Sequence, residues 1–166
     1  MYGLQSNGTA IDTLLQRPAD LLAGRRFVAW VTVRCPETDD QSVGMVHRAR
    51  ADGSAEVTQP IGPDLAHVVG FVGHRVVYVM GFNGGSWVTD FSGPPSRIPR
   101  LESVRDVSES TRMVIGQRGQ RARIVAEIGG QVRWRLSQGH LVSFSPNGKR
   151  VLALTEGTGR RVSLLN

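Results

Sequence analysis

A chain of 166 residues can bury a hydrophobic core of its own, and its single cysteine, Cys35, excludes an intramolecular disulfide and a cysteine-based zinc site. The net charge is +6, and Lys149 is the only lysine among 20 basic residues, an arginine bias more typical of a GC-rich genome than of a binding surface. No clustered basic stripe or nucleic-acid-binding module accompanies that charge, so nucleic acid is a disfavoured partner.

Glycine and proline are spread along the chain, and valine is frequent, which favours many short strands joined by tight turns. The sequence contains no signal peptide and no apolar run near 18 residues, so we predict no membrane span. The cytoplasm is the default location, and a periplasmic or extracellular one stays open if the N-terminus is truncated.

The first 24 residues contain Asn7-Gly8, a strong hairpin turn between the short runs YGLQS and TAIDTLL. A helix over this stretch is the alternative, but Pro18 would interrupt it. The next run, from Arg26 to Val33, has the apolar composition of a strand covered on both faces. After a stretch of polar residues, the run from Gly44 to Gln59 repeats the pattern of the opening hairpin, with Asp52-Gly53 in the place of Asn7-Gly8.

Two further passes of four strands each follow, separated by glycine-rich and proline-rich turns. The predicted strands lie near Val68–Val72, Arg75–Met80, Ser86–Phe91, Arg97–Leu101, Val104–Val107, Arg112–Gly116, Arg121–Ile128 and Gln131–Leu136. These strands place Trp30, Trp87 and Trp134 on the second, third and fourth strands of different passes, where we expect them to pack between sheets.

The last stretch, Gly139 to Asn166, predicts a strand from Leu141 to Ser145, a Pro-Asn-Gly turn, a strand from Arg150 to Thr155 and a third strand from Arg161 to Leu165. Third strands recur along the chain at spacings of 43, 42, 35 and 40 residues. Self-similarity at this period, with four strands per repeat, is typical of β-propeller blades.

We therefore predict an all-β fold: an array of about four four-stranded antiparallel blades, forming a partial propeller that starts and ends mid-blade. A generic β-sandwich or barrel is the alternative. The predicted array is a single domain over residues 1–166, with units at residues 1–16 (partial), 17–60, 61–102, 103–138 and 139–166 (partial).

Three stretches of the last unit resemble a WD repeat. Gly139-His140 resembles the Gly-His that opens the repeat, and the run from Phe144 to Lys149, FSPNGK, resembles its FSPDGK turn. Leu165-Asn166 stands where WD repeats end in Trp-Asp. The chain thus resembles the WD40 and TolB-like β-propeller repeat family, and the resemblance implies a structural repeat motif made of Gly139, His140, Ser145, Pro146, Asn147 and Gly148.

The strongest surface candidate is a group of arginines from Arg97 to Arg135. Within this group, alternation places Arg121 and Arg123 on one face of their strand, and Arg133 and Arg135 on one face of theirs. These four residues form our candidate basic interaction surface. Solvated edge-strand arginines that discourage aggregation are the alternative interpretation.

Other reactive side chains lack a supporting pattern. The four histidines have no metal-ligand spacing, and the acidic loop of Glu37, Asp39 and Asp40 lacks the regular spacing of a calcium site. Neither Cys35 nor Ser145 lies in a Gly-x-Ser-x-Gly nucleophile motif. We predict no catalytic residue, no metal and no cofactor.

We accordingly expect a non-catalytic propeller module that acts as a protein-interaction scaffold, with another protein as partner and with blade edges free to pair or associate. The alternative is an accessory region of a larger enzyme or envelope system, such as a prolyl oligopeptidase-like gate or a TolB-like periplasmic component.

Overall fold

A computed structural model describes residues 20–34, 43–62, 66–81, 84–119, 122–136, 140–155 and 161–165. Every regular element in these ranges is a β-strand, and none of the described residues is helical. It follows that no helix in this part of the chain is long and apolar enough to cross a membrane.

The strands form four antiparallel sheets that follow one another along the chain, and within each sheet the strands are ordered as in the sequence. The first sheet contains β1 (Asp20–Ala23), β2 (Phe27–Arg34), β3 (Val43–Arg50) and β4 (Val57–Gly62). The second contains β5 (Ala66–Val72), β6 (Arg75–Met80), β7 (Gly85–Thr89) and β8 (Ser96–Arg97). The third contains β9 (Ser103–Ser108), β10 (Met113–Arg118), β11 (Ala122–Glu127) and β12 (Val132–Leu136), and the fourth contains β13 (His140–Phe144), β14 (Val151–Thr155) and β15 (Arg161–Leu165).

The predicted all-β array of consecutive sheets is confirmed, and the bounds of β6 and β15 are those that the sequence predicts. The strand predicted from Arg97 to Leu101 is wrong, because β8 ends at Arg97. Proline has no N–H to donate to a sheet, and Pro99 is followed by Arg100 in the left-handed region at φ 62°. The opening hairpin around Asn7-Gly8 lies outside the described residues.

The chain separates into two compact units, Met1–Val68 and Val69–Asn166. In the second unit the core lies between successive sheets. One buried cluster joins the second sheet to the third, and a smaller one joins the third to the fourth. The larger cluster consists of Val72, Val77, Ile98, Leu101, Val104, Val114, Ile124 and Ala126.

Close packing of the second sheet on the third depends on a glycine. A Cβ added to Gly70 of β5 would lie 2.6 Å from the Cβ of Val107 on β9, far inside normal contact. Two hydrogen bonds fix neighbouring sheets beside this core. The N–H of Val104 donates to Ser86 Oγ at 2.8 Å, and the N–H of Phe144 donates to Asp106 Oδ2 at 2.7 Å.

The predicted Ser-Pro-Asn-Gly motif forms the turn between β13 and β14. Ser145 Oγ donates to Asn147 Oδ1 at 2.8 Å, the N–H of Lys149 donates to the same oxygen at 3.1 Å, and the N–H of Gly148 donates to the Ser145 carbonyl at 2.7 Å. Ser110 of the preceding sheet donates from its hydroxyl to the Asn147 carbonyl at 3.0 Å. The turn thereby links the fourth sheet to the third.

Gly148 is required in this turn for two reasons. Its φ of +68° lies in the left-handed region that glycine adopts without steric cost. It is also buried, and an added Cβ would overlap Ser108 Oγ and lie 2.6 Å from Ser110 Oγ.

We expect Gly148→Ala to lower the free energy of unfolding by about 2–4 kcal/mol, since left-handed φ and overpacking each cost about 1–3 kcal/mol. The matched control is Gly73→Ala. Gly73 has a φ of +65° in the turn between β5 and β6, but an added Cβ there would meet nothing within 4 Å. The control should lose only about 1–2 kcal/mol. Urea unfolding followed by circular dichroism measures both losses, and equal losses would mean that contact with Ser108 contributes nothing.

Candidate interaction site

The candidate basic surface divides between two faces of the third sheet. Arg133 and Arg135 are exposed on β12, where they alternate with half-buried residues. Arg135 pairs with the buried Ile124, whereas Arg123 pairs with Leu136, the neighbouring position in register. Adjacent positions of a strand point to opposite faces, so Arg123 lies on the other face from Arg135. Arg121 lies outside the described residues.

The guanidinium groups of this set also differ in environment. Arg133 donates from Nε and Nη2 to Glu127 Oε1, the first at 2.8 Å, so that its charge is locally compensated. Nε and Nη1 of Arg123 are buried and find no hydrogen-bond acceptor among the described residues. The structure therefore brings Arg133 and Arg135 together and separates them from Arg123. A binding role for this set stays a prediction.

Four other arginines line two adjoining clefts in the unit from Val69 to Asn166. The first cleft, of about 450 Å³, includes Arg75 and Arg97, and the second, of about 360 Å³, includes Arg97, Arg100 and Arg118. Arg97 and Pro99 line both clefts, so the two adjoin at these residues. We call this surface the arginine groove.

The arginine groove is built from strand ends and connections. Arg75 begins β6, Arg97 ends β8, Arg118 ends β10, and Arg100 lies in the connection from β8 to β9. The loop that follows β7 adds hydroxyl groups to the first cleft, and the turn that follows β11 adds Ile128. Residues distant in sequence thus meet because consecutive sheets pack side by side.

Two glycines hold the walls of the groove in place. A Cβ on Gly85 would lie 2.9 Å from Arg97 Nε, so the guanidinium of Arg97 rests against the backbone of β7. A Cβ on Gly130 would lie 2.8 Å from Pro99 Cβ, so the shared proline wall packs on the turn after β11. Arg97 and Pro99 are therefore positioned by backbone contacts.

The connections along the groove contain strained backbone. Arg100 has a φ of 62°, and Phe91, between the lining residues Asp90 and Ser92, has a φ of 68°. Non-glycine residues rarely adopt this region, and such strain is concentrated at functional sites.

The groove carries a net positive charge. All four arginines are exposed, and the described lining residues include two carboxylates, those of Asp90 and Glu102. Asp90 accepts hydrogen bonds from the hydroxyl and the N–H of Ser92, at 2.6 and 2.9 Å, and these bonds, with a smaller contribution from the charge of Arg75, lower the pKa of Asp90. Within the described residues, no ion pair involves the guanidinium group of any of the four arginines.

The first sheet contains a separate polar cluster around His47. Trp30, His47 and Thr58 are cross-strand neighbours on β2, β3 and β4, and the Trp30 and His47 rings stack with centroids 5.0 Å apart. His47 Nε2 lies 2.7 Å from Thr32 Oγ1, and Nδ1 lies 3.0 Å from Thr58 Oγ1 and 3.3 Å from Glu56 Oε1. Because an ionised carboxylate only accepts, we assign the proton to Nδ1, and Nε2 then accepts from the Thr32 hydroxyl.

A hydroxyl, an imidazole and a carboxylate in this order also occur in hydrolase triads. Thr32, however, is only 6 % exposed, so its hydroxyl is shielded from a substrate. The cluster is therefore best explained as a cross-strand network that stabilises the first sheet. Burial lowers the pKa of His47, and the hydrogen bond and charge of Glu56 offset part of that effect.

The other three histidines lie on strands or in a turn. His67 lies on β5, His74 lies in the turn after it, and His140 begins β13. No group of three or more histidine, cysteine, aspartate or glutamate side chains able to hold a metal occurs within the described ranges. The acidic loop of Glu37, Asp39 and Asp40, as well as Cys35 and Gly139, falls outside those ranges.

The tryptophans lie on the strands that the sequence predicts, but they are half-buried rather than fully enclosed. Trp87 donates from its indole N–H to the Gly84 carbonyl at 2.6 Å. Trp134 packs beside the smaller core cluster.

The candidate basic surface contains no residue of the groove. The wider group of arginines from Arg97 to Arg135 includes Arg97, Arg100 and Arg118, but not Arg75. The sequence gives only a weak signal for Arg75, which is a charged residue at the start of an apolar strand. Nothing in the sequence indicates that Arg75 and Arg97 lie close together.

No protein-family model and no curated protein matches the sequence. Among solved structures, the chain is similar to the β-propeller domain of the Trilobed protease from Pyrococcus furiosus, described as having an open velcro topology. The TM-score is 0.65 at 10% sequence identity, over 91% of this chain and 54% of the other, so the chain spans about half the length of that propeller. The likeness establishes a β-propeller fold, as predicted. Membership of the WD40 or TolB-like family remains a resemblance.

The lowered pKa of His47 predicts a stability that depends on pH. Between its folded pKa and its ordinary value of 6.5, the unfolded chain binds more protons than the folded chain, so the free energy of unfolding falls as pH drops below about 6.5. We expect His47→Gln to flatten this fall between pH 7.5 and 5 in urea unfolding experiments. His74→Gln, at an exposed turn, controls for the loss of an imidazole elsewhere, and a slope that His47→Gln leaves unchanged would contradict the assignment.

Proposed function

We propose that the chain is a non-catalytic β-propeller module that binds a protein partner through the arginine groove. The observation that carries this proposal is a pair of adjoining clefts lined by exposed arginines on strand ends and connections, without a compensating ion pair from the described residues. Binding surfaces on propellers and other rigid folds are commonly built from such connections.

The construction of the groove favours binding. Its lining combines charged heads with apolar walls such as Val88, Pro94 and Ile128, the mixture that recognition sites use to bind and orient a partner. The positions of Arg97 and Pro99 are set by backbone contacts with Gly85 and Gly130. Preorganised side chains lose little conformational entropy on binding, which supports affinity.

The polar cluster around His47 is the arrangement most similar to a catalytic triad, and its contacts also favour a non-catalytic module. The Thr32–His47–Glu56 cluster has its hydroxyl buried, and with the contact from His47 to Thr58 it joins three strands. A role in sheet stability accounts for each of these contacts.

A second proposal is that the module is an accessory region of a larger enzyme or envelope system, as in a prolyl oligopeptidase-like gate or a TolB-like periplasmic component. It is supported by the likeness to a propeller domain of a protease, of which this chain covers 54%. The adjoining coding sequence tests it. A hydrolase domain with a Gly-x-Ser-x-Gly motif after the last sheet favours the gate, and a signal peptide before the first favours the periplasmic component. Finding neither would leave the interaction module.

A peptide array incubated with the purified chain tests the primary proposal. We expect saturable binding of a subset of peptides, measured by fluorescence anisotropy, with every peptide recovered intact by mass spectrometry. Cleaved peptides would contradict a non-catalytic role. An array that contains acidic, basic and apolar sequences, with no peptide bound, would contradict the interaction module.

A further inference from the structure

We infer that the arginine groove recognises an extended acidic segment of the partner protein, with its carboxylates at Arg97, Arg100 and Arg118 and an apolar side chain in the adjoining first cleft. This inference rests on the proposed function and adds which groove residues bind the partner and the chemical class of the segment they recognise.

The dimensions of the groove favour a segment over a small ion. The two clefts, of about 450 and 360 Å³, each fall within the range of pockets that hold sizeable ligands. Because Arg97 and Pro99 belong to both, a ligand that occupies the two clefts must pass over these residues. An extended peptide meets this requirement, and a free anion does not.

The charges are unevenly distributed along the groove. Arg75 lies near Asp90 and contributes to the lowered pKa of that carboxyl, so the two charges partly compensate each other. In the second cleft, three arginines face the single carboxylate of Glu102. The excess of positive charge is therefore greatest around Arg97, Arg100 and Arg118, and carboxylates of the partner should bind there.

Guanidinium groups suit this task, because their planar arrangement of donors matches a carboxylate with two parallel hydrogen bonds. The groups at Arg97, Arg100 and Arg118 are exposed and form no ion pair with any described residue. A ligand carboxylate consequently displaces no ion-pair partner among the described residues from them.

The first cleft supplies the complementary apolar contact. Val88, Pro94, Pro99 and Ile128 contribute to its lining. An acidic segment that carries one apolar side chain beside its carboxylates would use both clefts. A uniformly charged segment would leave these apolar walls unused.

The same lining disfavours nucleic acid. Phosphates repeat along a nucleic acid without interruption, and the fixed carboxylates of Asp90 and Glu102, one in each cleft, would repel such a backbone. Single-stranded nucleic acids also stack their bases on aromatic side chains, and no described residue that lines either cleft is aromatic. A peptide can place neutral residues opposite both carboxylates.

Anisotropy titrations of the full chain with a fluorescein-labelled peptide of alternating glutamate and leucine test the inference. We expect saturable binding that weakens with added salt, and weaker binding of the same peptide with glutamine in place of glutamate. Arg97→Gln and Arg118→Gln should each weaken binding by about tenfold or more, since a hydrogen bond to a charged group contributes about 1.5–3 kcal/mol. Circular dichroism checks that the variants keep their fold.

Arg50→Gln is the matched control, because it removes the same charge from an exposed strand position that lines neither cleft and belongs to neither candidate surface. The control should change the affinity by about twofold or less, because a single exposed charge outside the site contributes little to binding. Loss of binding with Arg50→Gln but not with Arg97→Gln would overturn the groove as the binding site, and it would leave an interaction module that binds its partner elsewhere.

Two further results would overturn the inference in other ways. Binding of basic or apolar peptides from the array, without the acidic peptide, would refute the partner class and keep the proposed function. Tighter binding of single-stranded oligodeoxythymidine than of the acidic peptide would assign the groove to nucleic acid. Failure of every peptide would refute the proposed function itself.

Discussion

The burial of apolar sheet faces against one another is the constraint on which the second unit depends. A sheet with valine and isoleucine on its faces cannot remain stable in water alone, and each fully buried side chain of this kind is worth about 1.5–3 kcal/mol. Here the covering surface is the next sheet along the chain, as the two core clusters demonstrate. Close approach then requires a glycine where backbones or side chains would collide, which is the case for Gly70 against Val107 and for Gly148 against Ser108.

This packing also determines where polar chemistry can be placed. Core residues and ladder hydrogen bonds occupy most of the strand interiors between packed sheets, so the clefts in this unit draw their guanidinium groups from strand ends and connections. The arginine groove follows this rule, with Arg75, Arg97 and Arg118 at strand ends. The His47 cluster shows the opposite arrangement, because its polar atoms lie within a sheet and form hydrogen bonds with cross-strand neighbours. The first arrangement is suited to binding, and the second to stability.

The fold could be predicted from local patterns, because strand alternation and turn residues recur with a constant period. The Pro-Asn-Gly turn was predictable for the same reason, although its contact with Ser110 depends on sheet packing. The end of β8 was mispredicted because the apolar residues Ile98 and Leu101, which extend the pattern, belong to the core without belonging to a strand.

The groove could not be predicted, since it depends on which ends of different sheets become neighbours. Alternation correctly indicated exposed arginines on β12, but it could not show that Arg123 pairs with Leu136 and so occupies the opposite face. The register is set by how the strands pair, and a shift of one residue in the pairing moves each side chain to the opposite face of the sheet.

The arginine bias of the composition and the use of arginine at position 97 have different explanations. A biased genome accounts for the number of arginines, and it makes no distinction between positions. At Arg97 the guanidinium lies against a glycine backbone, where a side chain on Gly85 would collide with it. A planar group can rest on that surface and still present its edge to a carboxylate, whereas the ammonium of lysine is a compact, strongly hydrated charge on a flexible stem. The contact between Arg97 and Gly85 therefore gives this arginine a geometric role that composition alone does not explain.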